Sequence, residues 1–148
     1  MRLWHYKLIS LLPDAKTTKN RKLNQLGGQH VECCILRGNG WGMNHKIVNY
    51  VFNYNYLLLT YYHRLVIAEL IKRGYRIDKN WLLDGYRGKT LGLYSLVDLP
   101  NINYGIDGFL YPEHNDAYLN ECLDNLKGKG IIINKEDFYN NAAAFSSR

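Results

Sequence analysis

Residues 23–38 read LNQLGGQHVECCILRG, and this stretch decides what the rest of the chain is expected to look like. One face collects side chains at helical spacing: Leu23, Leu26, His30, Cys33 and Cys34. Gly38 follows, and glycine is the commonest residue just past the end of a helix. The spacing therefore predicts a helix over Leu23–Arg37.

The same period recurs in two further segments. Residues Leu57–Arg73 carry one apolar face, and Gly74 follows them as a natural cap. A third helix is predicted over Pro112–Lys127, because a proline followed by an acidic residue suits a first helical turn. The three segments together indicate a mainly α protein.

Long connections join these helices. We expect a compact single domain over residues 1–148, built from three principal helices with long irregular loops. Asp84–Tyr111 shows no sustained period, and alternating aromatic residues at 50–56 suit a short strand or an extended segment. The polar, basic stretch 14–24 is expected to be a surface insertion.

Composition limits the class of protein. Lys and Arg total 19 against 13 Asp and Glu, for a net charge of +6, which favours nucleic acid as a partner ahead of an anionic membrane surface. A basic surface without a specific partner is the alternative. No apolar run approaches the roughly 18 residues of a membrane span. Three cysteines, two of them adjacent, argue against a disulfide framework, so we expect an intracellular protein with reduced thiols.

Glu32 is the one carboxylate in the first predicted helix. A helical wheel places it away from the Leu26 face and beside Gly28, and Gly27 with Gly28 leaves room for a nucleotide backbone to approach. An ordinary solvated glutamate is the alternative reading. An N-terminal α-amine has a pKa of about 7.7–8, so roughly a quarter is neutral at about pH 7.4, ready for imine chemistry at a sugar carbon.

Six landmarks give the chain a family resemblance: Arg2–Ile9, Leu26–Gly42, Val48–Tyr54, Ile67–Tyr75, Tyr86–Lys89 and Tyr111–His114. In order and spacing they resemble the pyrimidine dimer DNA glycosylases, small ultraviolet-repair enzymes of the viral and bacterial endonuclease V type. The resemblance implies a three-helix fold, a monomer, damaged double-stranded DNA as the partner, and no metal or cofactor. It also implies that the N-terminal amine attacks deoxyribose C1′, breaks the glycosidic bond, and cuts the strand by β-elimination.

The resemblance assigns roles to individual residues. The amine belongs to Arg2 if Met1 is removed, or to Met1 itself, because a bulky second residue should block removal. Glu32 matches the glutamate that stabilises the cationic intermediate and assists removal of the 2′ proton. Two further groups of residues are expected in the site. The active-site neighbours are Gln25, Gly28 and His30. The DNA contacts are Lys22, Arg37, Trp41, Lys46, Arg87 and Lys89.

The chain departs from the family pattern at several points. Val31 and Ile35 stand where the family carries cations next to the catalytic glutamate and one turn further on. The 14–24 stretch has no counterpart, and 131–148 forms a divergent C-terminal tail. Damage specificity is therefore less strongly indicated than imine chemistry.

Two other functions fit parts of the sequence. A noncatalytic DNA-binding protein on the same scaffold would show salt-sensitive binding and no strand scission. A metal-dependent nuclease would use His30 and Glu32 and would lose activity to a chelator, whereas an imine enzyme would resist one. The metal-ligand residue types lack the paired spacing of structural zinc sites, so no metal is expected.

Overall fold

Three α-helices form the body of the protein. The computed structural model describes residues 2–43, 48–95 and 111–134. The helices, in chain order, are α1 (Gln25–Arg37), α2 (Tyr56–Lys72) and α3 (Asp116–Gly128). Short 3-10 turns lie at Tyr6–Leu11, Arg21–Leu23, Asn49–Asn53 and Lys79–Leu82. Within the described ranges the β pairing consists of one isolated antiparallel bridge, Tyr86 to Leu93. The prediction of a mainly α fold with three principal helices is confirmed.

Asparagine caps explain where two helices begin. The Asn24 side chain accepts a hydrogen bond from Gly27 N at 3.1 Å, so α1 begins after Asn24 rather than at Leu23. A Cβ at position 27 would lie 2.6 Å from Asn24 Nδ2, so the cap itself requires Gly27. Asn115 caps α3 in the same way through Tyr118 N, at 2.9 Å. The predicted start at Pro112 is therefore four residues early.

The buried face of α1 agrees with the predicted one only at Leu26 and Cys33. It consists of Leu26, Gln29, Glu32, Cys33, Leu36 and Arg37. His30 and Cys34 are only half-buried. The wheel that placed Glu32 away from the buried face is wrong, because α1 is covered both by α2 and by the N-terminal segment. The side of α1 that faces the N-terminal segment buries polar side chains, and hydrophobic periodicity does not detect buried polar residues.

Helix α2 lies at the centre of the core. Its buried residues face several directions: Tyr56, Leu58, Leu59, Thr60, Tyr62, His63, Val66, Ile67 and Leu70. The N-terminal segment packs into the same core through Leu3 and Trp4. The suggested strand over residues 50–56 is wrong. Its aromatic residues lie in a 3-10 turn and at the start of α2, where Tyr50 OH approaches His114 Nε2 at 2.6 Å.

The stretch 14–24 is attached to α2 by one buried carboxylate. Residues 15–17 and 19–22 are exposed, but Asp14 is 2% exposed. Its Oδ2 lies 2.9 Å from Arg73 Nη1, and its Oδ1 accepts from Tyr75 OH, also at 2.9 Å. Burial by itself raises the pKa of Asp14, but the hydrogen bonds from Arg73 and Tyr75 outweigh it and bring this pKa to about 2.

Asp14→Asn is expected to lower the free energy of unfolding at pH 7 by about 2 kcal/mol. Because the folded pKa is depressed, this stabilisation is present above about pH 4, the ordinary aspartate range, and is lost as the pH falls towards 2. Urea unfolding of both proteins between pH 7 and 3 should show the difference shrinking by roughly half. The exposed Asp124→Asn control should change little, and a pH-independent difference for Asp14→Asn would contradict the assignment.

Candidate active site

The backbone of residues 2–4 is held against α1 by the side-chain amide of Gln29. Gln29 Nε2 donates to Arg2 O at 2.7 Å, and Gln29 Oε1 accepts from Trp4 N at 3.1 Å. The two hydrogen bonds lie on either side of Leu3. The Gln29 side chain thus pairs with this backbone as a neighbouring β-strand would. Arg2 is thereby fixed next to the middle of α1.

Each of the other two helices adds a tyrosine to this attachment. Tyr118 OH of α3 donates to Leu3 O at 2.6 Å. Tyr62 OH of α2 lies 2.6 Å from Trp4 O and 2.7 Å from Gln29 Oε1, and donates to one of them at a time. Burial raises the pKa of both phenols, which keeps them protonated as donors. All three helices thus hold the N-terminal segment.

A cleft of about 200 Å³ opens beside this segment. Its lining residues are Arg2, Trp4, Gln25, Gly28, Gln29, Asn125 and Lys129. Three predicted site residues, Arg2, Gln25 and Gly28, therefore come together. Gln25 Oε1 accepts from Trp4 Nε1 at 3.2 Å, which orients its amide. A Cβ at Gly28 would meet nothing within 4 Å, so this wall of the cleft is open to a ligand.

The Arg2 side chain forms one edge of the cleft. Its Nη1 lies 3.4 Å from Glu121 Oε1, and its guanidinium stands 5.6 Å from the Trp4 ring centroid and 6.0 Å from that of Tyr118. Its charge is therefore partly balanced by Glu121 and partly directed at aromatic faces. Met1 lies outside the described residues.

Glu32 is buried, does not itself line the cleft, and its carboxylate makes no hydrogen bond within the described part of the chain. The residue is 4% exposed and follows Gly28 by one helical turn, on the same face of α1. Removing a carboxylate from water without pairing it is costly, so stability alone does not account for it here.

His30, predicted as an active-site neighbour, does not line the cleft. Its Nδ1 lies 2.8 Å from Nε2 of His63 in α2. Burial, and then the charge of Arg37, lowers the pKa of His30, which favours the neutral ring. The residue belongs to the contact between α1 and α2.

The prediction that Arg37 binds phosphate is wrong. Arg37 is fully buried, and each of its five N–H donors faces an acceptor. The acceptors are Tyr56 OH, His63 Nδ1, Trp81 O, Leu83 O and Tyr86 O, at 2.7–3.2 Å. The guanidinium joins α1 to residues 81–86 and has no donor left for DNA.

Two further predicted DNA contacts are occupied within the protein. Trp41 is half-buried and packs edge to face on Phe52 and Tyr56, with ring centroids 5.1 Å apart in each pair. The Arg87 guanidinium lies 4.2 Å from the Tyr56 ring centroid and 4.8 Å from that of Tyr94. Trp41 therefore serves as a core anchor, and Arg87 is half-buried between two aromatic rings.

The exposed lysines are better placed for phosphate. Lys22 and Lys89 are exposed, and the Lys22 carbonyl accepts from Gln25 Nε2 at 2.9 Å, at the cleft. Lys46 lies outside the described residues. Lys129 is exposed and lines the cleft, although the sequence analysis did not select it.

Sequence reasoning also missed Gln29 and Asn125. Gln29 could have been found from the sequence, because it is a polar residue one turn before Glu32 on a helix that is otherwise buried there. Asn125 and Lys129 could not, because their place at the cleft depends on how near the end of α3 lies to α1.

Comparison with known proteins identifies the family to which this chain belongs. Within the described ranges, no helix has both the length and the apolar character needed to cross a bilayer. No curated protein and no solved structure matches the chain significantly. The family model for pyrimidine dimer DNA glycosylase matches residues 1–83 of the 148, a segment that includes α1, α2 and five of the seven residues lining the cleft. By this match, the chain belongs to the pyrimidine dimer DNA glycosylase family.

Proposed function

We propose that this protein excises ultraviolet-induced pyrimidine dimers from double-stranded DNA and then cuts the strand as an AP lyase. DNA repair by a glycosylase is the broader function that family membership supports. The observation that carries the finer proposal is the attachment of Arg2 and Trp4 to Gln29, one turn from the buried, unpaired Glu32. This attachment supports the proposal that a terminal amine and the Glu32 carboxylate act on the same sugar.

The N-terminal α-amine is the proposed nucleophile, whether it belongs to Met1 or to Arg2. Consecutive Cα atoms are about 3.8 Å apart, so fixing Arg2 also limits where a preceding residue can be. An α-amine is partly neutral near pH 7 without being buried, unlike a lysine amine. It attacks deoxyribose C1′, and the base leaves with the electron pair of the glycosidic bond.

Glu32 is proposed to act on the intermediate. Loss of a proton from the attacking nitrogen and opening of the sugar ring give a protonated imine, whose positive charge the carboxylate stabilises. The same carboxylate accepts the C2′ proton, and the C3′–O3′ bond then breaks with the phosphate leaving. Water hydrolyses the imine and returns the free amine. The electron pairs balance without a metal or a redox cofactor.

The DNA backbone is proposed to cross the open side of α1. Lys22 and Lys129 lie at the cleft, and Gly28 lets a strand come close. Val31 and Ile35 are 52% and 47% exposed on the same helix and present no charge. Phosphate binding is therefore weaker along α1 than at the cleft rim.

Borohydride trapping on a duplex with one abasic site, in the presence of EDTA, tests the imine. We expect a covalent adduct, located by mass spectrometry on the α-amine of Met1 or Arg2, and its loss when that amine is blocked. An adduct on Lys129 instead would move the nucleophile to another amine in the cleft. No adduct and no cleavage from folded protein would favour a noncatalytic DNA-binding protein, and cleavage abolished by EDTA would favour a metal nuclease.

Glu32→Gln is expected to abolish strand cleavage while leaving DNA affinity within about threefold, roughly 0.6 kcal/mol. The same change should leave the free energy of unfolding within about 1 kcal/mol, because the Glu32 carboxylate makes no hydrogen bond within the described part of the chain. Gel-based cleavage and urea unfolding measure the two effects. Glu69→Gln, which alters a carboxylate paired with Arg73 at 2.9 Å, should retain cleavage. A Glu32→Gln protein that still cuts would exclude the proposed role.

Val31→Arg is expected to add a phosphate contact. The logarithm of DNA affinity should fall more steeply with the logarithm of salt concentration, by about 0.9 for one new contact. Fluorescence anisotropy at several salt concentrations measures this slope. Ile71→Arg, a similar change at a 46% exposed position on α2, serves as the control and should leave the slope unchanged. Equal slopes in all three proteins would place the DNA away from this face of α1.

A further inference from the structure

Two histidines and a cysteine meet on the side of α1 that packs against α2. His30 and Cys34 are one turn apart on α1, and His63 comes from α2. His30 Nδ1 lies 2.8 Å from His63 Nε2, and Cys34 Sγ lies 3.9 Å from each of these nitrogens. This cluster is separate from the cleft lined by Gln25 and Gly28.

The three atoms form a triangle close to that of a zinc site. Tetrahedral zinc with ordinary bond lengths requires about 3.3 Å between two nitrogens and about 3.6 Å between nitrogen and sulfur. The observed separations differ from these values by about 0.5 Å or less.

We propose that His30, Cys34 and His63 bind a zinc ion that ties α1 to α2. His30 and Cys34 are half-buried and leave a solvent-facing side, so water completes the fourth position. The charge of Asp78 acts on the Cys34 thiol and adds a negative group near the cation. The inference goes beyond the proposed function, gives the metal no part in the imine chemistry, and departs from the expectation that the protein binds no metal.

The positive charge of Arg37 disfavours a bound zinc ion, and Arg37 also contacts one of the proposed ligands. Its Nη1 donates to His63 Nδ1 at 2.9 Å, which places the ring proton on Nε2, facing His30. Zinc on Nε2 requires the ring proton to be on Nδ1, where it would point at the Nη1 donor of Arg37, so this pair must move apart and Arg37 loses one of its five acceptors. Its bonds to Tyr56 and to the three backbone carbonyls remain.

Binding also takes the proton from Cys34. Zinc binds the thiolate form of cysteine. A coordinated thiol is deprotonated by the metal, and the proton is released to solvent. Net release of one proton per zinc bound is therefore expected.

Calorimetric titration of the chelator-treated full-length protein with zinc chloride tests the site. We expect one zinc per chain. Cys34→Ser and His30→Ala should each weaken binding by at least about 100-fold, since even residues that only orient a ligand change affinity by roughly 10–100-fold. Cys33→Ala is the matched control, because the adjacent thiol is buried in the core, and it should bind like the parent. Circular dichroism checks the fold of each variant, and His30→Ala decides the matter if Cys34→Ser does not fold.

Cobalt provides a second readout that is independent of DNA. Cobalt(II) bound to the parent should show a thiolate charge-transfer band, and Cys34→Ser should lack it. Zinc should also raise the melting temperature of the parent but not of Cys34→Ser. Unchanged zinc affinity in Cys34→Ser and His30→Ala, or no binding by the parent, would overturn the proposal. Neither result bears on the imine, which is trapped in EDTA.

Discussion

The side-chain amide of Gln29 is the interaction on which the arrangement of this protein depends. It satisfies one carbonyl and one N–H of the N-terminal segment, and in return the segment covers an amide that would otherwise be buried without partners. Leu3 and Trp4 then fill the core between the helices. The beginning of the chain is thus a structural element, because residues 2–4 are bonded to α1 and packed in the core.

The sequence predicted the apolar parts of the structure better than the buried polar ones. Periodicity identified all three helices because each buries an apolar stripe against α2 or the N-terminal segment. It misjudged the buried face of α1, where Gln29 and Arg37 are polar yet fully accommodated. The partners of Arg37 are mainly backbone carbonyls from residues 81–86, which no pattern within α1 encodes. The same contacts explain why a cation predicted for DNA lies inside the protein.

The sequence predicted those residues of the candidate site that lie close together along the chain. Gln25 and Gly28 lie on one turn of α1, and family resemblance connected them with Arg2 and Glu32. Lys129 reaches the same cleft only because α3 crosses nearby, and this depends on packing between distant elements. Val31 and Ile35 are exposed on the same helix as Glu32, so this part of the α1 surface carries apolar side chains rather than charged ones.

The bond from Tyr118 to Leu3 also has a consequence for biosynthesis. It joins residues 115 positions apart, so it cannot form until α3 has left the ribosome. Until then, the backbone of the N-terminal segment can bond to Gln29 of α1 and Tyr62 of α2 but not to its α3 partner. A nascent or truncated chain that lacks α3 therefore holds this segment less firmly than the folded protein does.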